Sequence, residues 1–176
     1  MTEQELKKFI KKQNLFITED GLLASKIKPS DESRRVCNEH RAEIMALIKT
    51  ETEAKERAAA EREAKIAAID GLTEIKKAIY DHEKYHRDFE RMMDDEFNDG
   101  LRPPKKPESD INELMSKYPR AAAYIKAEDY SYSPHYAKSA IGIKALEQII
   151  NGENYDKVLA DMEKEWSDYC ESHMWD

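Results

Sequence analysis

The sequence predicts a mainly α protein: a small N-terminal helix-hairpin-helix (α+β) module over residues 1–50, a connector helix over 51–70, and a C-terminal helical bundle over 71–176. Three observations lead there. Apolar residues recur at spacings of three and four through most of the chain, the pattern of helices with one buried face. Only five glycines and six prolines punctuate 176 residues, too few for the many turns of an all-β architecture. The chain is 38% charged, yet 40% of it is hydrophobic and patterned, so it has the means to bury a core.

The module comes first. Leu6, Phe9 and Ile10 fall at helical spacing within 3–13, with Lys7, Lys8, Lys11 and Lys12 on the other faces. Leu15-Phe16-Ile17 and Leu22-Leu23-Ala24, joined by Glu19-Asp20-Gly21, read as a hairpin. Pro29 and Ser30 then stop the chain and cap a second helix, which runs through Val36, His40, Ile44, Leu47 and Ile48 on one face. His40 reads as a packed or capping histidine, not a ligand.

Residues 51–69 hold almost no large apolar residue before Ile66, but pair Glu51 with Lys55, Glu53 with Arg57 and Glu61 with Lys65 at i,i+4. With the alanines, this predicts an exposed connector helix continuing from the one before. Asp70-Gly71 predicts a break. From Leu72 the stripe Ile75, Ile79, Tyr85, Phe89, Met92, Met93 and Phe97 predicts a long helix, the expected spine of the bundle. It ends on Asp94, Asp95, Glu96 and Asp99, acids that oppose the macrodipole at a helix C-terminus and so mark a candidate binding surface. The spacing there lacks the alternating ligands of a calcium loop.

Leu101 to Pro107 reads as a stiff extended loop. Helices are predicted over 108–118, from Pro119 to about Ala127, from Pro134 at N1 (capped by Ser133) to Ile150, and after Asn154, with Asn151-Gly152 as a stop. Val158, Leu159, Met162, Trp166, Tyr169 and Cys170 form the inner side of the last helix, and the aromatic ending His173 to Asp176 is expected to dock. Between the second and third of these helices, Tyr130, Tyr132 and Tyr136 form an aromatic joint, either an interface patch or a wedge between helices.

The net charge of −8 is uneven: about +2 in each of 1–50 and 101–150, and about −6 in each of 51–100 and 151–176. Acidic blocks disfavour direct nucleic-acid binding, which needs a concentrated basic face. They suit a protein partner with a basic surface, or serve solubility alone. No apolar run approaches the roughly 20 residues of a membrane helix, and the start MTEQELKKF does not read as a signal peptide. Cys37 and Cys170 lack C-x-x-C spacing and read as half-buried thiols of a reducing compartment.

One motif points to an enzyme. His82-Glu83-Lys84-Tyr85-His86 reads H-E-x-x-H, which places two histidines one helical turn apart to share a zinc ion with the glutamate as base. Against it stand the charged Asp81 and Lys84, Phe89 where the extended motif needs glycine, and the lack of an evident third ligand beyond acids such as Glu108 or Glu113. The reading taken is therefore no catalytic residue, no metal and no cofactor, with a zinc hydrolase as the alternative.

Two resemblances add to this. The helix-hairpin-helix order over residues 3–49, ending in His40-Arg41-Ala42-Glu43-Ile44, resembles the N-terminal docking modules of the TubC type. It implies a protein-binding module; a small α+β lobe stays open beside it. From Pro119 onward, PRAAAYIKAEDYSYSPHYAKSAIGIKALEQIINGE and EKEWSDYCESHMWD are similar to small proteins of phages and mobile elements of Firmicutes, some of them anti-CRISPR inhibitors of Cas9. That resemblance implies a non-enzymatic inhibitor in the cytoplasm of a bacterial host, whose partner is Cas9 with its guide RNA. The expected contact residues are Asp94, Asp95, Glu96, Asp99, Tyr130, Tyr132 and Tyr136. A structural docking adaptor acting through 3–49 is the remaining alternative, and self-association is left open.

Overall fold

The computed structural model describes residues 1–94 and 103–173, with Asp94 described by its backbone alone. Among these residues are eight α-helices and one two-stranded antiparallel sheet, the mainly α architecture the periodicity predicts. The chain divides into two compact units, Met1–Glu61 and Arg62–Asp176, and the division falls inside a helix.

In the first unit, α1 (Glu3–Gln13) starts from a capping box. The Thr2 hydroxyl accepts from the Glu5 N–H, and the Glu5 carboxylate accepts from the Thr2 N–H at 2.7 Å. The helix ends at Asn14, which turns into the left-handed region (φ 47°) so that the chain reverses into the hairpin. Strands β1 (Leu15–Ile17) and β2 (Leu23–Ser25) pair Leu15 with Ser25, Phe16 with Ala24 and Ile17 with Leu23. The second strand thus sits one residue later than its apolar run suggests. Leu22 is spent on the turn, where its N–H donates to the Thr18 hydroxyl at 3.1 Å. Leu6, Ile10 and Ile44 form the small core, with Phe9, Leu15, Leu23, Leu47 and Ile48 packed around them.

The second helix of the module is two helices, α2 (Asp31–Glu39) and α3 (Arg41–Ala67). His40 breaks them with φ −113° and ψ 21°, and its ring Nδ1 lies 3.0 Å from the Glu43 carboxylate in the first turn of α3. Helical bonding resumes at once, since the Ile44 N–H donates to the His40 carbonyl, so the three-and-four spacing survives a one-residue break. His40 is the capping residue expected of it. α3 then runs through the predicted connector. Glu51 and Lys55 pair at 3.0 Å, while Arg57 donates to the Glu53 backbone carbonyl instead of its carboxylate.

The second unit holds α4 (Leu72–Asp94), α5 (Ile111–Lys117), α6 (Pro119–Ser131), α7 (Tyr136–Ile150) and α8 (Tyr155–Ser172). The break before α4 turns on Gly71, whose φ of +73° suits glycine. A Cβ there would also lie 2.0 Å from the Tyr118 ring, so the position is closed to side chains twice over.

The centre of the bundle is α6, which packs against α4, α5, α7 and α8, and not the long α4. Ala121, Ala123 and Ala127 let its neighbours approach, and Tyr124, Ile125, Ile141, Ala145, Ile149, Val158 and Met162 fill the space between. Only the start of the α4 stripe joins this core, through Leu72 and Ile75, with Ile79 packed against it; Ala78, between Ile75 and Ile79 in sequence, is also buried. Farther along, Tyr85 is half-buried and Phe89 and Met93 are 37% and 66% exposed.

Several boundaries differ from the sequence reading for local reasons. α5 starts at Ile111 and not Glu108, because the Asp110 carboxylate accepts from the N–H groups of Asn112 and Glu113 and fixes the cap there. α7 starts at Tyr136 and not Pro134; Ser133 accepts from the His135 N–H at 3.3 Å within the turn. α7 ends as expected at Asn151-Gly152, with Gly152 at φ +86° and Arg120 donating to the Ile149 carbonyl at 2.7 Å. Asn154 caps α8 by accepting from the Lys157 N–H at 3.0 Å.

Candidate protein-binding surfaces

The turn between α6 and α7 is built to be rigid. Gly142 lets α7 lie directly on the last turn of α6: a Cβ there would be 2.3 Å from the Ser131 backbone nitrogen and 2.6 Å from the Tyr130 carbonyl carbon. Three hydroxyls lock the turn. Ser139 donates to the Ser131 carbonyl, Ser131 donates to the Glu128 carbonyl, both at 2.7 Å, and Ser133 accepts from His135. Tyr130 faces inward against the core, with the Lys138 ammonium 4.5 Å over its ring and 5.5 Å from Trp166. On the α8 side, His135 meets Trp166 and Tyr169 edge-on, Trp166 and Tyr169 stack, and His173 stacks on Tyr169 at 4.1 Å.

The three tyrosines of this joint therefore do different things. Tyr130 is the wedge. Tyr132 and Tyr136 point away, 79% and 88% exposed, and Ile143 stands on the same face of α7 as Tyr136, seven residues on. Beside them, Lys76 of α4 reaches over the Tyr124 ring at 5.1 Å and pairs with Glu128 at 2.8 Å. Burial raises the Tyr124 phenol above its ordinary range; Glu128 adds to this and Lys76 opposes it.

Of the acidic candidates, Asp94 closes α4 with its side chain outside the described residues, and Asp95, Glu96 and Asp99 lie outside them altogether. The acidic stretch that is described belongs to α8. There Glu163 pairs with Lys126 of α6 and Glu165 with Lys144 of α7 at 2.8 Å, which raises the Lys144 ammonium. Asp156, Asp161, Asp168 and Glu171 are exposed.

The H-E-x-x-H residues sit where the α4 stripe leaves the core. His82 Nε2 lies 2.8 Å from the Ser109 carbonyl and pegs the segment 103–110 to the helix. His86 meets the Tyr85 ring edge-on, and Glu83 pairs with Arg87 at 3.7 Å. Among the described residues no group of three His, Cys, Asp or Glu side chains is placed to hold a metal ion. Along the same segment, Asp81, Lys84, Tyr85 and Asp88 face Pro104 to Ser109 across an open cleft of about 630 Å³.

The first unit carries a groove of about 290 Å³ beside the hairpin. Its floor is Leu15, Leu23 and Pro29, and Arg34, Cys37, Asn38 and Arg41 line it from α2 and the start of α3. Burial raises the Cys37 thiol, so it stands there as a protonated apolar group. The sequence reading passed over this groove, Lys138 and Gly142. Gly142 alone had a readable signal, a glycine inside a helical pattern.

No protein-family model, no curated protein and no solved structure matches this chain. No described helix is long and apolar enough to cross a membrane.

Proposed function

We propose that this chain is a non-enzymatic protein-binding molecule of phage or mobile-element origin, an inhibitor that occupies a basic surface of its partner. Guide-loaded Cas9 is the partner the C-terminal resemblance singles out, in the cytoplasm of a bacterial host. The observation that carries the reading is the pair Tyr132 and Tyr136: two almost fully exposed aromatic side chains displayed by a joint that is locked in every other respect. Rigid tyrosines lose little entropy on binding and serve as interface anchors. The acidic blocks at 51–100 and 151–176 supply the charge complement to a basic surface.

The test is co-purification with guide-loaded Cas9 together with a DNA-cleavage assay. Wild-type protein is expected to bind and to suppress cleavage; the double variant Tyr132→Ala/Tyr136→Ala is expected to bind at least about tenfold more weakly while keeping its helical circular dichroism. Absence of binding at micromolar concentrations removes Cas9 as the partner. Undiminished binding of the double variant removes the joint. Neutralising Asp94, Asp95, Glu96 and Asp99 together is expected to weaken binding most at low salt, and unchanged affinity takes that cluster out of the interface.

A second reading is favoured by the groove of the first unit: a docking adaptor working through residues 3–49, its two guanidiniums set beside an apolar floor for an acidic, apolar-anchored peptide. Arg34→Glu/Arg41→Glu in the full chain separates the two, since it abolishes docking on this reading and spares it on the first. For the zinc-hydrolase alternative, His82 is already bonded to the Ser109 carbonyl, and metal analysis of tag-free protein decides it.

A further inference from the structure

The bundle has a second open apolar feature, on the side formed by α5, α6 and α8. Met115, Ala122, Tyr155 and Leu159 are half-buried apolar side chains lining a groove of about 440 Å³ with Ala123 and Ile125 of the core beneath them. Its charged lining is one-sided. The only cation among the lining residues, Lys126, is committed to Glu163, while Asp129 and Asp156 have no ion-pair partner among the described residues. Asp156 stands in the first turn of α8, where the macrodipole favours a negative charge.

Length points to the kind of guest. Pro119 to Asp129, the stretch of α6 along the groove, rises about 15 Å, and apolar anchors at i, i+3/i+4 and i+7 of a docked helix span about 10 Å. An aqueous apolar trough of that length, with two unneutralised carboxylates on its rim, is complementary to a helix that is apolar on one face and cationic on its flanks.

We infer that this groove is a docking site for a basic amphipathic helix of a protein partner. The inference rests on the proposed protein-binding role only in taking the partner to be basic; it does not require the tyrosine joint to make a contact.

The test uses the full chain and two labelled 18-residue peptides of Leu, Ala and Lys, or Leu, Ala and Glu, with leucines at helical i, i+3, i+7 spacing. Fluorescence anisotropy is expected to give at least about tenfold tighter binding of the lysine peptide at low salt. Ala122→Trp, which fills the trough, is expected to weaken it about tenfold or more. Asp129→Lys/Asp156→Lys, both surface changes, is expected to reverse the preference towards the glutamate peptide, and it keeps the inference testable if the tryptophan variant does not fold. Tyr132→Ala/Tyr136→Ala is expected to leave peptide binding unchanged, which separates this groove from the joint. Equal affinity for both peptides, or lysine-peptide binding that neither groove variant alters, overturns the inference. So does a shift in sedimentation on Ala122→Trp, which assigns the groove to a second copy of the chain.

Discussion

Gly142→Ala is a substitution whose sign tests the architecture of the tyrosine joint. On an exposed helix face the change stabilises, by about 1 kcal/mol, because glycine is the weaker helix former. Here the new methyl would sit 2.3 Å from the Ser131 nitrogen, 2.6 Å from the Tyr130 carbonyl carbon and 2.8 Å from Tyr130 Cβ, at least about 0.7 Å inside ordinary carbon contact distance. Two of those atoms are backbone, in a turn held by the Ser139, Ser131 and Ser133 bonds, so no side chain can swing aside to relieve them. Overpacking of this kind costs about 1–3 kcal/mol, and more where the backbone must move, so the net expectation is a loss of about 1–2 kcal/mol. For a unit of this size that lowers Tm by roughly 4–8 °C. Both tryptophans, Trp166 and Trp175, belong to the second unit, so urea unfolding followed by tryptophan fluorescence reads that unit alone. A Gly142→Ala protein that is more stable than wild type refutes the close crossing of α6 and α7. It would also remove the reason to regard Tyr132 and Tyr136 as rigidly displayed.

Gly71→Ala is expected to cost at least about 2 kcal/mol in the same assay, since it meets both a left-handed φ and the Tyr118 ring; a neutral result would mean that the turn before α4 is rebuilt at little cost. Ile75→Ala removes a fully buried side chain and is expected to lose about 2–5 kcal/mol, whereas Phe89→Ala on the open part of the same helix is expected to lose under about 1 kcal/mol; equal losses would place the distal stripe in the core after all. His82→Ala removes the peg on Ser109, so trypsin cleavage after Lys105 is expected to speed up while global stability changes by about 1 kcal/mol or less. In the first unit Glu3, Glu5 and Glu51 are held below the ordinary carboxylate range, by Lys7, the Thr2 cap and Lys55 respectively. Their contribution is present above the unfolded carboxylate pKa and is lost as pH falls through the lower folded values, so amide protection in α1 is expected to weaken only on acidification below about pH 4.5.

What the sequence disclosed was what local chemistry decides. Ser30, Asp70-Gly71, Pro119, Asn151-Gly152 and Asn154 each satisfy or terminate a helix end through neighbouring atoms, so their signals lie in neighbouring letters. The break between α2 and α3 at His40 escaped because interrupting the helix for one residue preserves the three-and-four spacing on either side. Gly142 lay in plain view, but its purpose depends on Ser131 and Tyr130, eleven and twelve residues away, and periodicity contains no such information. For the candidate sites, residue type gave Tyr132 and Tyr136 but could not separate them from the inward Tyr130, because Tyr130 closes α6, Tyr132 lies in the turn and Tyr136 opens α7, so no single helical phase runs through all three to assign their faces.

The largest misjudgement concerned α4, and its cause is length. At 23 residues the helix is about 35 Å long, whereas α5 and α6, on which it packs, have 7 and 13 residues and are about 10 Å and 20 Å long. An apolar stripe reports which face of a helix would be buried; it does not report how far the partners extend. Past Ala78 the bundle ends, and the segment 103–110 lies along the helix instead, held through His82 and the Ser109 carbonyl. That peg decides how the H-E-x-x-H letters should be weighed. As an anchor, His82 needs only an Nε2–H donor, which neutral imidazole supplies. As a metal ligand through the same nitrogen it would have to surrender that bond, on a part of α4 where, among the described residues, Phe89 and Met93 are exposed. The rigid, close-packed corner of the molecule is elsewhere, at the crossing of α6 and α7, and it is there that the exposed tyrosines stand.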